Sequence, residues 1–186
     1  SNAQIHSTNA GIELARKIGC EYILKSRTDM VFGADNFLDI LHTLHLTHNK
    51  FLPSSLKGKI VVGSTNSFMA RPYCLSDMFS FGFLDDMKLM WDLPLAISRE
   101  PIDKIELHLG TKPLDQRMEP VLIETLKGTV HDVSARKGEN YIFSNLIRRT
   151  GFDYSDSMDN YMKWIASSII VVDNSILRIA WPKYKN

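Results

Sequence analysis

Apolar residues recur along the chain at two spacings, and these spacings define its elements. Ala10, Leu14, Ala15 and Ile18 fall at helical intervals. The preceding Ser7-Thr8-Asn9 offers side-chain oxygens suited to an amino-terminal cap, and Gly19 suits the stop. Tyr22-Ile23-Leu24 then forms a short apolar run that reads as a buried strand, breaking into the polar cluster Lys25-Ser26-Arg27-Thr28-Asp29. Asp35-Asn36 can cap a second helix with Phe37, Ile40, Leu41 and Leu44 on its apolar face. Lys59-Ile60-Val61-Val62 is the next strand, and it too ends in polar residues, Gly63-Ser64-Thr65-Asn66.

The later elements follow the same logic. Leu75 to Gly82 alternates enough to predict a strand, and Asp85-Asp86 then opens a helix through Met87, Met90 and Trp91, with acids at its positive end. Residues from Pro94 to Pro113 read as a short helix and a long exposed loop, and Glu119-Pro120 starts a further helix. Asn140 to Arg149 is amphipathic, a helix near Met158 to Ser167 leads into Ile169–Val172, and Ile176–Trp181 closes the chain as a strand. Helix and strand in alternation predict the α/β class, with a mostly parallel central sheet flanked by helices. Open sheets of this class bind ligands at the carboxyl ends of their strands, where both early strands carry polar residues.

Composition narrows the function classes. With 186 residues and 44% hydrophobic content the chain supports one compact core, and no repeat or linker divides it. Ser1-Asn2-Ala3 reads as a cloning remnant, leaving residues 4–186 as the domain. The 22 basic and 21 acidic residues are mixed along the chain with a net charge of +1, so no basic stripe argues for nucleic acid as a partner. No apolar run approaches the roughly 20 residues of a bilayer span. Two cysteines, Cys20 and Cys74, without a C-x-x-C pair suit packed thiols in a reducing, cytoplasmic setting.

Candidate chemistry gathers at the end of the first strand. The Arg27 guanidinium is a planar fork of donors suited to phosphate oxygens, and Asp29 can hold a hard divalent cation that bridges phosphates. Together they suit a nucleoside diphosphate leaving group; the plain alternative is a surface ion pair. His42, His45 and His48 lie three apart on the second helix, a spacing that can ligate metal, but they interleave with Leu41, Leu44 and Leu46 as a helix flank does.

Tyr22 to Asp29, Lys59 to Ser64, and Arg71-Pro72-Tyr73-Cys74-Leu75-Ser76-Asp77-Met78-Phe79-Ser80-Phe81-Gly82 with Asp86-Met87 and Trp91 stand in an order that resembles the WavE-type lipopolysaccharide-synthesis family. The resemblance covers roughly residues 4 to 95. It implies a GT-A-like (Rossmann-like) glycosyltransferase that takes a nucleotide-sugar donor and a saccharide acceptor. In such enzymes a D-x-D motif at a strand end contacts ribose and a Mn²⁺ or Mg²⁺ ion. The resemblance sets Arg27-Thr28-Asp29 there, with Lys25 beside it as a further donor-binding residue and Arg27 standing where the first aspartate would be. It offers Asp29 and His131 as metal ligands, and Asp85 or Asp86 as the base of an inverting transfer, with Glu119 and Asp77 ranked behind them. Against these stand a solvated loop histidine for His131 and a simple helix start for the paired aspartates. Trp91 and Tyr73 can stack on a sugar or fill the core.

A single helix precedes Tyr22, whereas a GT-A domain opens with the elements of its base pocket. The expectation is therefore a sheet incomplete at the N-terminus, in either a single domain over residues 4–186 or the carboxyl-terminal portion of a larger one, with poor transfer by this chain alone. A cytoplasmic protein follows, with room for peripheral association at the inner membrane. The alternative is a non-catalytic saccharide- or protein-binding module derived from such an enzyme. A metal-dependent phosphoesterase is third, since His131-Asp132 has no second cluster to build a two-metal site.

Overall fold

The computed structural model of the chain describes residues 2–47, 49, 51–67, 72–94, 137–152 and 157–181. In chain order its elements are α1 (Asn2–Lys17), β1 (Tyr22–Lys25), β2 (Val31–Phe32), α2 (Phe37–Thr47), β3 (Ile60–Gly63), β4 (Ser80–Phe83), α3 (Leu84–Trp91), α4 (Lys137–Arg149), α5 (Met158–Ser168), β5 (Ile169–Val172) and β6 (Ile179–Ala180). Four strands form the main sheet in the order β1-β4-β3-β5, and β2 pairs with β6 in a small second sheet.

The class is α/β, but the main sheet is mixed, which corrects the expectation of mostly parallel strands. β4 runs antiparallel to both β1 and β3, and β3 with β5 is the one parallel pairing among the described residues of the main sheet. The rhythm of the sequence correctly gives β1 and β3 the same direction, yet β4 lies between them. A parallel neighbour needs a crossover that carries the chain back along the sheet, usually a helix. The described residues between β3 and β4 form turns instead, so the chain re-enters the sheet from the edge it has just left.

β3 shows how the sheet divides the core. Ile60 and Val62 face a cluster with Ile5 and Ile12 of α1, Met87 and Trp91 of α3, Phe143 and Ile147 of α4, and Trp164 of α5. Val61 faces the opposite way, against Leu41 of α2, Phe79, Phe81, Val172 and Leu177. Strand residues alternate between faces, so a wholly buried β3 serves two cores at once. Trp91 and Tyr73 are both buried, which settles them as core residues in this arrangement.

Three boundaries differ from expectation for local reasons. α1 begins at Asn2, so Ser7-Thr8-Asn9 lies inside the helix, and Ser7 Oγ bonds back to the Gln4 carbonyl at 3.1 Å. The stop at Gly19 holds: it adopts φ +77°, its N–H reaches Arg16 O, and the Cys20 N–H reaches Ala15 O. Leu75 to Phe79 is irregular, and β4 starts only at Ser80. The last strand shrinks to Ile179–Ala180 because Asp173-Asn174-Ser175 turns the chain: Asp173 Oδ1 accepts the Ser175 N–H at 2.8 Å and Asn174 O accepts the Ile179 N–H. The helices expected after Pro94 and at Glu119-Pro120 lie outside the described residues.

His45 belongs to the fold rather than to a metal site. It is fully buried on α2, its Nδ1 lies 2.6 Å from the Lys59 carbonyl, and its ring meets Tyr22, Phe81 and Phe83 edge-on. Burial holds its pKa below the ordinary value of 6.5. His48 lies outside the described residues. The ring packs so closely on Gly58 that a methyl group there would stand 2.3 Å from Cε1. Gly58→Ala is therefore expected to cost about 2 kcal/mol of unfolding free energy by overpacking, measured by urea denaturation. An unchanged midpoint would mean that the ring has room to move.

Candidate strand-end site

The carboxyl ends of β1, β3 and β5 share one edge of the sheet with the amino end of β4, because β4 alone runs the other way. β1 ends on Lys25, whose side chain is buried and whose Nζ bonds the Asp77 carbonyl and, at 3.4 Å, the Met78 carbonyl. The same ammonium sits 4.9 Å from the centre of the Trp91 ring. Burial pushes its pKa down to about 8, only partly opposed by the Asp77 carboxylate, and the charge of Arg27 pushes the same way as burial. Gln4 Nε2 also reaches the Asp77 carbonyl, at 3.2 Å, tying α1 to the segment ahead of β4.

Beyond Lys25 the chain turns, with the Met30 N–H bonded to Arg27 O at 3.2 Å. That turn brings the side chains of Arg27 and Asp29 together as a two-pronged pair: Nε to Oδ1 at 2.8 Å and Nη2 to Oδ2 at 2.9 Å. An open cleft of about 710 Å³ lies alongside, lined by Ala3, Gln4, Ser7 and Thr8 of α1 and by every residue from Lys25 to Asp29. Two cations, one carboxylate, an amide and four hydroxyls thus face one space, a lining suited to an anionic, hydroxyl-rich ligand. Lys25, Arg27, Thr28 and Asp29 all line it. Gln4, Ser7 and Thr8 were not foreseen in this role, since Ser7 and Thr8 read as caps rather than as a wall.

The rim continues across the sheet. Ser67 Oγ bonds Gly63 O and accepts the Ser76 N–H, and Asn66 lies 3.5 Å from Met78 Sδ. Asn174, after β5, bonds Ser64 Oγ through its N–H and Thr65 Oγ1 through its side chain. Asn174 had no signal in the sequence beyond a turn-forming triplet.

The paired aspartates lie elsewhere. Phe83, just ahead of them, pairs with Tyr22 at the opposite end of β1 from Lys25. Three strand residues make that separation about 10 Å before either side chain is added. Asp85 is exposed and pairs with Lys57 at 2.7 Å, which holds its carboxyl below the ordinary range. Asp86 is 1% exposed and accepts the N–H groups of Lys57 and Gly58, each at 2.9 Å. Burial raises its pKa, and those two bonds offset part of the rise. The structure does not bring Asp85 or Asp86 to the cleft. Glu119 and His131 lie outside the described residues.

The cleft's donor set is poorly suited to the Mn²⁺ or Mg²⁺ ion that the resemblance implies. Asp29 is the one carboxylate in the cleft lining, and both of its oxygens already accept from Arg27. Among the described residues no three His, Cys, Asp or Glu side chains converge as a metal site. These residues do not fit a hard dication, which needs several oxygen ligands free of a competing cation.

The chain matches the sequence model for WavE lipopolysaccharide synthesis over residues 1–177. The chain belongs to the WavE family. Membership links it to lipopolysaccharide synthesis, and the match extends well past the residues, roughly 4 to 95, that the quoted motifs cover. No curated protein and no solved structure matches the chain. Among the described residues of this WavE protein, no helix is long and apolar enough to cross a membrane.

Proposed function

We propose that this WavE protein is a nucleotide-sugar-dependent glycosyltransferase of bacterial lipopolysaccharide or surface polysaccharide assembly, with the diphosphate of its donor at the strand-end cleft. The observation that carries the reading is the convergence of Lys25, Arg27 and four hydroxyl side chains on one open cleft in a chain of a lipopolysaccharide-synthesis family. In such a transfer the glycosidic bond of the donor breaks, the acceptor oxygen bonds to the sugar carbon, and the acceptor proton passes to a base. The leaving diphosphate takes the bonding electrons, so cations must face it. Lys25 stands in the wall with its position fixed by two carbonyls, and Arg27 is held by Asp29. The hydroxyls of Ser7, Thr8, Ser26 and Thr28 suit ribose, sugar or phosphate oxygens.

One observation favours a second reading, a saccharide-binding module without turnover: the two aspartates proposed for the base sit at the far end of β1. A panel of nucleoside diphosphates separates the possibilities. The enzyme reading expects at least one of them to raise Tm, Arg27→Ala to remove most of the rise, and the matching nucleotide sugar to release its nucleoside diphosphate when acceptor saccharide is added. Binding without release supports the module. No shift with any member of the panel overturns the donor site.

A further inference from the structure

We infer that the charge set against a diphosphate in this cleft is the Arg27 guanidinium, clamped by Asp29, and that binding needs no divalent metal ion. The inference rests on the donor-site reading above and deepens it. The resemblance sets Arg27 where a D-x-D motif has its first carboxylate, which would invert the charge at that position. The consequence is geometric as well as electrostatic. The guanidinium spans both oxygens of Asp29 at 2.8 and 2.9 Å, covering the edge from which a carboxylate would ligate an ion. A dication bound there at about 2.1 Å would have to displace a cation already in place.

A guanidinium so held is not lost to the ligand. It carries five N–H donors, and those on Nε and Nη2 reach Asp29. The Arg27 side chain is 43% exposed and lies in the cleft lining, where it can donate to Asp29 and to a phosphate oxygen together. Asp29 then acts as a positioning residue, fixing the plane of the fork without touching the ligand. Lys25 adds a second cation a turn away, close enough for the charge of Arg27 to depress its protonation. The cleft therefore keeps a net positive charge after the Arg27–Asp29 pair cancels, which is what a diphosphate requires.

Inorganic pyrophosphate titrated calorimetrically into the full chain tests this, once in EDTA and once in excess Mn²⁺, with Mn²⁺ binding alone followed by electron paramagnetic resonance. Expected are pyrophosphate binding in EDTA, weakened at least tenfold by Arg27→Ala, and no Mn²⁺ binding by the unsubstituted protein at micromolar concentrations. Asp29→Asn keeps the shape but loosens the fork, and should weaken pyrophosphate several-fold. Arg27→Asp restores two carboxylates; it should abolish binding in EDTA and confer Mn²⁺ binding. Both positions lie on an exposed turn, and unfolding curves matching the unsubstituted protein certify the variants. Pyrophosphate binding that appears only with Mn²⁺ overturns the metal-free inference and leaves the donor site standing. Binding in EDTA that ignores Arg27→Ala overturns the role of the guanidinium. No binding in either buffer overturns the donor site and this inference together.

Discussion

Asp86→Ala is expected to lower the unfolding free energy by about 3 kcal/mol, measured by urea denaturation at neutral pH. The side chain is 1% exposed, and each of its oxygens accepts one backbone N–H, from Lys57 and from Gly58. Charge-assisted bonds of this kind contribute about 1.5–3 kcal/mol each, and alanine would leave the buried Gly58 N–H without an acceptor. Part of that loss returns because the carboxylate no longer has to be desolvated, which is why the full sum is not expected. Asp86→Asn can keep one of the two bonds and should cost about half as much. The effect would spread to the turn as a whole, because the same Gly58 lies against the His45 ring. If both variants keep full stability but lose sugar transfer, Asp86 is the catalytic base and its bracing role is overturned.

A second large effect is tied to pH. The pKa of Lys25 falls from 10.5 to about 8 on folding, because burial disfavours its charged form. Below pH 8 both folded and unfolded chains carry the proton, and the folded chain bears the whole cost of burying it. Between pH 8 and 10.5 the folded state releases the proton first, so the unfolded state binds more protons and stability rises with pH. The shift corresponds to about 3 kcal/mol across that window. The tyrosines work in the other direction at the top of the window, since burial raises Tyr22 and Tyr161. The comparison is therefore with Lys25→Met, which keeps both. Stability of the unsubstituted protein relative to Lys25→Met should climb by about 3 kcal/mol from pH 8 to 10.5. A flat difference would show that Nζ stays protonated against the Asp77 and Met78 carbonyls and the Trp91 ring.

The sequence made some of this visible and hid the rest for physical reasons. Tyr22-Ile23-Leu24 and Ile60-Val61-Val62 were legible as strands because short apolar runs bounded by polar residues have few other uses. The helix after Ser157 was legible as well, and its hydroxyl accepts the Asn160 N–H at 3.4 Å. The neighbours of a strand were not legible: nothing near Tyr22 says that its partner is Phe83. The same limit applied to the site. Arg27 and Asp29 are two residues apart, so their pairing could be read locally. Asp86 reads as an ordinary acid at a helix start, because the turn it braces lies 28 and 29 residues upstream. Ser7 and Thr8 were misread because a hydroxyl looks the same as a helix cap and as a cleft wall until the helix start is known.

The strand pairings that build the rim also set when it can form. β1 waits for a partner about sixty positions further along, and β3 meets β5 across more than a hundred. Closing such long loops before any contact rewards them makes folding slow, and contacts of this separation are the last to be secured. During synthesis Arg27 and Asp29 emerge before Ser80–Phe83, the strand that pairs with β1, and before Ile169–Val172 at the far side of the sheet. The strand-end rim is thus a late product of folding.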